Sequence, residues 1–157
     1  MPSILSRGTI KQWTNHRLPR GFRVYRVRTP PIREFESFLG EGYLSALHTD
    51  KSEWWIVKRR TTDTSVVVAI ASLTWSNHRD VEFSACAVLP AYRRLGIHRA
   101  LVATRLGYVY RYALDQPHKV RVHALAPVGS PSCALWSTLA PQCTKFKKGY
   151  VKFLLVL

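Results

Sequence analysis

The chain has 157 residues, of which 46% are hydrophobic, and it carries a formal net charge of +15. This length and hydrophobic content predict one folded domain and exclude a disordered protein. No apolar run is long enough to span a bilayer, and the N-terminus lacks the apolar segment of a signal peptide. We therefore expect a cytoplasmic protein with no membrane partner. Three cysteines without a C-x-x-C pattern favour reduced thiols, and no metal is expected.

The excess positive charge lies at the two ends of the chain. Residues 1–33 contain eight Lys or Arg and no acid, and residues 116–157 contain six and no acid. Residues 34–115 are nearly balanced, with ten basic and nine acidic side chains. Such a field attracts polyanions, so DNA, tRNA or another RNA is the expected partner. A basic surface that serves solubility, or one that binds an acidic protein, would have the same composition.

The first third of the chain has weak structural signals. Residues 1–20 are polar and basic, which indicates an arm or an irregular lead-in. We accordingly divide the chain into a basic N-terminal arm, 1–21, and a folded domain, 22–157. Alternating apolar and basic residues predict a half-buried strand over Phe22–Thr29. After a proline pair, helical spacing predicts one or two short helices over Pro31–Ala46.

The rest of the chain alternates strands and helices. The predicted strands are Trp54–Lys58, Ser65–Trp75, Val81–Leu89, Lys119–Ala124, Thr144–Phe146 and Tyr150–Leu157, and the predicted helices are Gly96 to about Ala113 and Ser132–Leu139. The long β-branched run of Ser65–Trp75 should be central in a sheet. The order of elements predicts an α+β fold with a mixed central sheet flanked by helices.

One turn between a strand and a helix has the clearest functional signal. Pro90 ends the third predicted strand, because it cannot donate to a strand ladder. Gly96 lies where the following helix begins. Such a turn exposes unpaired N–H groups at the positive end of the helix dipole, which favours binding of a phosphate or pyrophosphate. A plain strand–turn–helix corner without a ligand would show the same pattern.

The stretch from Pro90 to Leu101, P-x-Y-R-R-x-G-I-x-R-A-L, resembles the acyl-CoA-binding motif of the GNAT superfamily of N-acetyltransferases. The family pattern is Gln or Arg, two residues, Gly, one residue, then Gly or Ala. Arg93 and Gly96 match its first two fixed positions, whereas His98 stands where a small residue is usual. The element order is also similar, over roughly residues 22–157. The resemblance implies a single-domain GNAT-like fold that moves an acetyl or other acyl group from CoA to an amine.

The resemblance also implies a donor site. Backbone groups of the motif strand would hold the pantetheine arm and thioester, and N–H groups of the turn would hold the pyrophosphate. The implied cofactor-binding residues are Ala87, Val88, Leu89, Arg93, Arg94, Leu95, Gly96, Ile97 and His98. The two arginines could add charge-assisted hydrogen bonds to phosphate. The imidazole at position 98 is either tolerated at the helix start, in contact with a phosphate, or partly blocking the site.

Glu82 is the candidate catalytic base. Acyl transfer to an amine needs a group that takes the amine proton. Glu82 is the only carboxylate on the predicted motif strand, and it lies eleven residues before Arg93. Some GNAT protein acetyltransferases have their catalytic glutamate at that spacing. Pairing of Glu82 with one of the many arginines is the alternative interpretation.

Two other side chains bear on the chemistry. Trp136 stands where the resemblance would place a tyrosine that acts as general acid, and an indole cannot replace it. The acid would then be absent, unnecessary, or supplied by Cys133, Ser137 or Tyr150, and Trp136 would pack against cofactor or core. Cys86 on the motif strand could be an acyl carrier, but we expect a buried structural cysteine.

Our first hypothesis is an N-acyltransferase whose acceptor amine lies on a nucleic acid or a nucleic-acid-associated target, such as a modified base, an aminoacyl-tRNA or a bound protein. The alternatives are a catalytically inactive GNAT-like nucleic-acid-binding module and a Mom-type DNA-modifying enzyme with a non-CoA donor. A small-molecule acetyltransferase is disfavoured, because a cleft for cationic substrates needs acids that this chain lacks.

Overall fold

The computed structural model describes residues 3–39, 51–140, 143–147 and 149–157. Within these ranges the strands are β1 (Ser3–Ile4), β2 (Phe22–Val27), β3 (Ser52–Arg60), β4 (Ser65–Trp75), β5 (Asp80–Val88), β6 (Arg121–Pro127), β7 (Cys143–Lys147) and β8 (Tyr150–Val156). The helices are α1 (Arg7–Thr14), α2 (Glu36–Leu39), α3 (Ile97–Leu114) and α4 (Pro131–Leu139), with 3-10 turns at Ile32–Phe35 and Pro90–Tyr92. No helix of the described ranges is long and apolar enough to cross a bilayer.

The strands form one mixed sheet in the order β1-β8-β6-β5-β4-β3-β2, and β7 pairs with β8. The β1–β8 and β5–β6 pairs are parallel, and the other pairs are antiparallel. The predicted α+β fold with a mixed central sheet is therefore confirmed. The bounds predicted for β4 are also confirmed, and β4 lies between β5 and β3 inside the sheet. The part of the predicted helix Pro31–Ala46 that follows residue 39 lies outside the described residues.

The irregular lead-in predicted for residues 1–20 is wrong. The hydroxyl of Ser6 caps α1 by accepting the N–H of the residue three positions later at 3.1 Å. The helix buries Ile10 and Trp13, whose spacing of three puts them on one face. Basic and polar residues around these two positions hide the apolar face in the sequence. Because β1 pairs with β8, residues 3–4 lie beside the C-terminal strand, whereas the basic residues of β2 lie at the opposite edge of the sheet.

The sheet has a different cover on each face. Helices α1, α3 and α4 cover the larger core, which includes Trp13, Leu73, Val81, Phe83, Leu101, Leu106, Trp136 and Phe153. On the other face Phe35 of the first 3-10 turn packs in a smaller core with Trp54, Ile56, Ile70, Ala85 and Ala87. Since side chains alternate along a strand, Glu82 lies on the smaller-core face, between two residues of the larger core.

Strand β5 is irregular in its middle. Cys86 pairs with Ala71, but the next paired residue of β5 is Phe83, opposite Leu73. Two residues of β5 thus face one residue of β4, which is a β-bulge. On the other edge, the pairing of β5 with β6 ends at Phe83 and Ala124, although both strands continue. A wedge therefore opens between β5 and β6, and it starts at the bulge.

Arg105 of α3 stabilises the bulge from the face of the sheet that this helix covers. Its side chain is only 1% exposed. Its guanidinium donates to the carbonyl oxygens of Leu101, Ser72 and Ala85 at 3.1, 2.9 and 3.2 Å. It also lies 4.6 Å from the ring centroid of Phe83. The Ser72 hydroxyl accepts a hydrogen bond from the Ala85 N–H at 3.0 Å. Side chains thus form the hydrogen bonds of backbone groups that lose their strand partners at the bulge.

We expect Arg105→Met to lower the free energy of unfolding by about 3 kcal/mol, because buried carbonyl groups lose their donor. Urea denaturation followed by circular dichroism measures this difference. Arg111→Met, at an exposed position of the same helix, is the matched control and should change stability by less than about 0.5 kcal/mol. Equal effects of the two substitutions would contradict the structural role of Arg105.

Candidate active site

The open edge of β5 forms one wall of the wedge. The Leu89 N–H donates to the Val68 carbonyl on β4 at 2.9 Å. Because backbone groups alternate in direction along a strand, Ala87 also faces β4, whereas Val88 faces the unpaired edge. Of the three residues predicted to hold the pantetheine arm and thioester, Val88 is therefore the best placed.

The turn after β5 presents a row of N–H groups. Arg94 and Gly96 both have left-handed backbone conformations, with φ of 63° and 78°. The Arg93 N–H donates to Pro90 and the Ala100 N–H to Gly96, at 3.3 and 3.0 Å. Within the described chain, the N–H groups between these two have no hydrogen-bond acceptor. A concave row of such groups at the start of an 18-residue helix favours an anion.

The backbone conformation of Gly96 favours glycine at this position. Its positive φ is unfavourable for residues with a Cβ. A Cβ at Gly96 would lie 3.5 Å from Nε2 of His16, which is an ordinary van der Waals distance, so the space itself would admit a side chain. That nitrogen is buried and has no hydrogen-bond partner in the described structure. The segment after α1 thus packs against this turn.

Arg93 anchors the turn to the strand. Its Nε donates to the Val88 carbonyl at 3.1 Å, and its guanidinium lies 5.6 Å from the ring centroid of Phe38. Arg94 and Leu95 are exposed. The phosphate contacts expected for Arg93 and Arg94 stay predictions, with Arg94 the freer of the two side chains.

His98 interacts with the strand through a side-chain hydrogen bond to Cys86. Burial raises the pKa of the Cys86 thiol, but the nearby charges of His98 and Arg105, together with that hydrogen bond, outweigh it and hold the pKa below its usual range. The negative charge of Cys86 in turn raises the pKa of His98, against the effect of burial. Cys86 packs against the larger core but is partly exposed, so it is less buried than expected, and its structural role stays a prediction.

This pair predicts an unusual pH dependence of alkylation. The rate at which iodoacetamide modifies Cys86 should rise with a midpoint below about 8.5, the ordinary value for a cysteine. His98→Gln should move the midpoint upward, because burial then acts without the opposing charge of His98. Mass spectrometry of the alkylated peptides measures both, with exposed Cys143 as the internal reference. A midpoint for Cys86 that is unchanged by His98→Gln would contradict the pairing.

On the smaller-core face, Glu82 lines a cavity of about 360 Å³. Its walls also include Ser76, Asn77, Asp80, His123, Ala124, Leu125 and Lys152. Glu82 is paired in register with His123 on the parallel strand β6, so the two side chains are neighbours. No ion pair among the described residues involves Glu82, so its pairing with an arginine is not observed.

Asp80 holds His123 in place. Its carboxylate lies 2.8 Å from Nε2 of His123 and accepts a hydrogen bond from Arg121 at 2.7 Å. The hydrogen bond from Arg121, with smaller contributions from His123 and Asn77, holds the pKa of Asp80 well below its usual range despite burial. Nothing in the sequence marks Asp80 or His123 as a site residue. Position 123 alternates with apolar neighbours, which indicates a strand face but does not tell which residue lies beside it.

The tryptophan in place of the expected tyrosine belongs to the core. Trp136 is buried, with its ring centroid 5.1 Å from Phe83 and 6.4 Å from Phe153. Among the candidates for a general acid, the Ser137 hydroxyl donates to a backbone carbonyl of its own helix at 2.8 Å. Tyr150 is exposed and pairs with the last residue of β6, at the open end of the wedge. Tyr150 therefore stays a candidate for the general acid.

The model of the acetyltransferase (GNAT) family matches residues 11–137. The chain belongs to the GNAT acetyltransferase family. The resemblance found at Pro90–Leu101 is thus confirmed, and with it the assignment as an N-acetyltransferase. No curated protein matches the sequence.

Solved structures of GNAT proteins share the fold. A GNAT family acetyltransferase from Elizabethkingia anophelis with acetyl-CoA bound is similar with a TM-score of 0.66 and 10% identity, over 88% of this chain and 100% of that one. The ribosomal-protein-S18-alanine N-acetyltransferase from Escherichia coli is similar with a TM-score of 0.64 and 12% identity, over 86% of this chain and 93% of that one. For a Bacillus subtilis acetyltransferase in complex with CoA, the TM-score is 0.59 and the identity is 13%, over 87% of this chain and 99% of that one. At these identities the likeness shows the fold.

The low pKa of Asp80 predicts a pH-dependent contribution to stability. A carboxyl group whose pKa is depressed by folding stabilises the protein above its unfolded value of about 3.9, and this contribution is lost as the pH falls. Asp80→Asn should therefore lower the free energy of unfolding at pH 7 by roughly 2 kcal/mol, with a difference that narrows below about pH 4. Urea denaturation across this pH range measures the difference. Asp115→Asn, at an exposed carboxylate, is the control; a pH-independent loss for Asp80→Asn would contradict the ionic role.

Proposed function

We propose that this GNAT protein transfers an acyl group, acetyl in the first instance, from CoA to an amine on a nucleic acid or a nucleic-acid-associated target. One observation carries the proposal. The wedge beside β5 has an anion-binding turn at one end, and the carboxylate of Glu82 lies beside the start of the same opening. An extended donor with a pyrophosphate at one end and a thioester at the other fits this arrangement, and acetyl-CoA has that form.

The donor would be held mainly by backbone groups. The N–H groups from Arg94 to His98 would bind the pyrophosphate. The Val88 N–H would donate to the pantetheine arm, since the Val88 carbonyl already accepts from Arg93. His98 would add positive charge below the turn when it is protonated. These contacts come from the backbone and not from particular side chains. They are therefore compatible with His98 at a position where a small residue is usual in the family.

Glu82 would take the proton of the acceptor amine. The amine nitrogen attacks the thioester carbonyl carbon, the carbon–sulfur bond breaks, and CoA leaves as a thiolate. His123, held by Asp80, lies beside Glu82 and would orient the carboxylate or receive its proton. Tyr150, at the open end of the wedge, is a candidate to protonate the thiolate.

The charge distribution supports a polyanionic target. The net charge is +15, and basic residues lie toward both edges of the sheet, with Arg23 and Arg26 in β2 at one edge and Lys152 in β8 near the other. Phosphate contacts from such a surface would bring an acceptor to the protein without reading its sequence. Among the described residues, the carboxylate of Glu82 has no ion pair and the N–H groups of the turn have no acceptor, which argues against an inactive binding module.

Glu82→Gln should lower kcat by about 10²- to 10⁴-fold, because the base is lost, and leave the Kd for acetyl-CoA unchanged. Transfer of radiolabelled acetyl from acetyl-CoA to RNA, aminoacyl-tRNA, DNA or a nucleic-acid-bound protein measures kcat, and calorimetry measures Kd. His123→Gln should have a smaller effect, and Asp115→Asn none. Wild-type turnover by Glu82→Gln would remove Glu82 from the mechanism. Transfer to free polyamines but to none of the four acceptors would overturn the nucleic-acid target.

A further inference from the structure

A second cavity, of about 400 Å³, lies at the far edge of the sheet, where β2, β3 and β4 meet. We name it the edge basin. It is lined by Arg23, Tyr25, Lys58, Arg60, Thr61, Thr62, Asp63, Thr64 and Ser65. Three cations, one acid, one aromatic ring and four hydroxyl groups therefore share one open surface. The acyl-transfer mechanism uses none of these residues.

The cations of the edge basin are placed against each other. Arg23 and Lys58 are directly opposite on the antiparallel strands β2 and β3. Like charges at such a position destabilise a sheet. The ion pairs among the described residues involve Arg26, Arg121 and His123, so none of them neutralises this pair. A bound anion would remove the repulsion.

Tyr25 gives the basin a flat surface for stacking. Its side chain is 43% exposed, which is unusual for a large ring on a strand, and Lys58 Nζ lies 5.5 Å from the ring centroid. An exposed aromatic ring beside cationic side chains can stack with an unpaired base while the cations contact its phosphates. A base within a duplex is not available for such stacking.

The rim of the basin is fixed by local hydrogen bonds. The Thr61 hydroxyl donates to the Thr64 carbonyl at 2.7 Å, and the Thr61 N–H donates to the same carbonyl at 2.8 Å. The backbone N–H of Arg60 donates to Gly21 at 2.8 Å, which ties β3 to the start of β2. The basin is therefore preorganised for a ligand.

The edge basin lies on the same face of the sheet as the cavity at Glu82, which we call the acceptor cavity. Arg23 and Tyr25 alternate with Phe22 and Val24, which pack against the larger core, just as Glu82 alternates with larger-core residues. Glu82 pairs in register with Thr74 of β4, and Thr74 pairs with Ser52 of β3. Lys58 of the basin is six residues further along β3 than Ser52. The separation is roughly 20 Å, which an oligonucleotide can span and a single nucleotide cannot.

We infer that the edge basin binds the backbone and one unpaired base of a single-stranded nucleic acid whose acceptor amine then reaches the cavity at Glu82. This inference rests on the proposed nucleic-acid target and adds the surface that would hold it. The three cations supply phosphate contacts, and Tyr25 supplies a stacking surface. Neither the phosphate contacts nor the stacking depends on the nucleotide sequence.

The test uses fluorescence anisotropy with a labelled single-stranded RNA of about twelve nucleotides, and with the matching duplex, over a range of salt concentrations. The double substitution Arg23→Glu and Lys58→Glu should weaken binding of the single strand by roughly tenfold or more and reduce the salt slope by about 1.4. The matched control is Arg111→Glu with Lys119→Glu, which makes the same charge change at exposed positions outside the basin.

Substitutions of Tyr25 separate stacking from charge. Tyr25→Ala should weaken binding of the single strand by about fivefold or more, and Tyr25→Phe should bind like the wild type. Equal losses for the basin variant and its control, or no effect of Tyr25→Ala, would overturn the inference. Tighter binding of the duplex, or of an acidic polypeptide such as poly-glutamate, would also overturn it.

The same variants distinguish this inference from the proposed function. Calorimetry should give the wild-type Kd for acetyl-CoA with the basin variant, because the donor site is elsewhere. If the single strand binds in the basin but no nucleic acid is acetylated, the proposed acceptor fails and the docking surface stands. If nucleic acid is acetylated equally well by the basin variant and its control, the docking surface fails and the proposed function stands.

Discussion

The hydrogen bonds of one buried guanidinium, that of Arg105, support the most irregular point of the sheet. A bulge in β5 removes ladder bonds at Ser72 and Ala85, and a buried carbonyl without a donor is costly. Arg105 supplies those donors from α3 and at the same time fixes that helix over the sheet. The bulge in turn marks where β5 and β6 separate, so the wedge, the anion-binding turn and the acceptor cavity all take their positions from this contact.

The sheet separates the two halves of the proposed reaction. On the face covered by α3, Cys86 and His98 form a polar pair beneath the anion-binding turn, where a small residue is usual in the family. On the opposite face, Asp80 holds His123 next to Glu82. The carboxylate of Asp80 is fixed in its ionised form by Arg121, whereas Glu82 has no ion pair among the described residues. Two neighbouring acids on one strand thus have different environments and are suited to different roles.

The sequence predicted those features that depend on neighbours along the chain. The bounds of β4, the helix that follows Gly96 and the order of the elements all follow from local periodicity and turn residues. Local reasoning missed α1, because only Ile10 and Trp13 mark its apolar face among polar and basic residues. It also missed the Asp80–His123 pair and the contacts of Arg105, since these join strands and helices distant in sequence, and their register depends on the whole sheet.

The separation of β5 from β6 leaves an inner strand with one bare edge. An unpaired strand edge can accept another extended chain. A donor lying in the wedge would act as the missing strand. Its binding would raise the apparent stability by mass action, by about 2.7 kcal/mol at a concentration one hundred times its Kd. The supply of acyl donor in the cell would then influence how much of the protein stays folded, in addition to how fast it works.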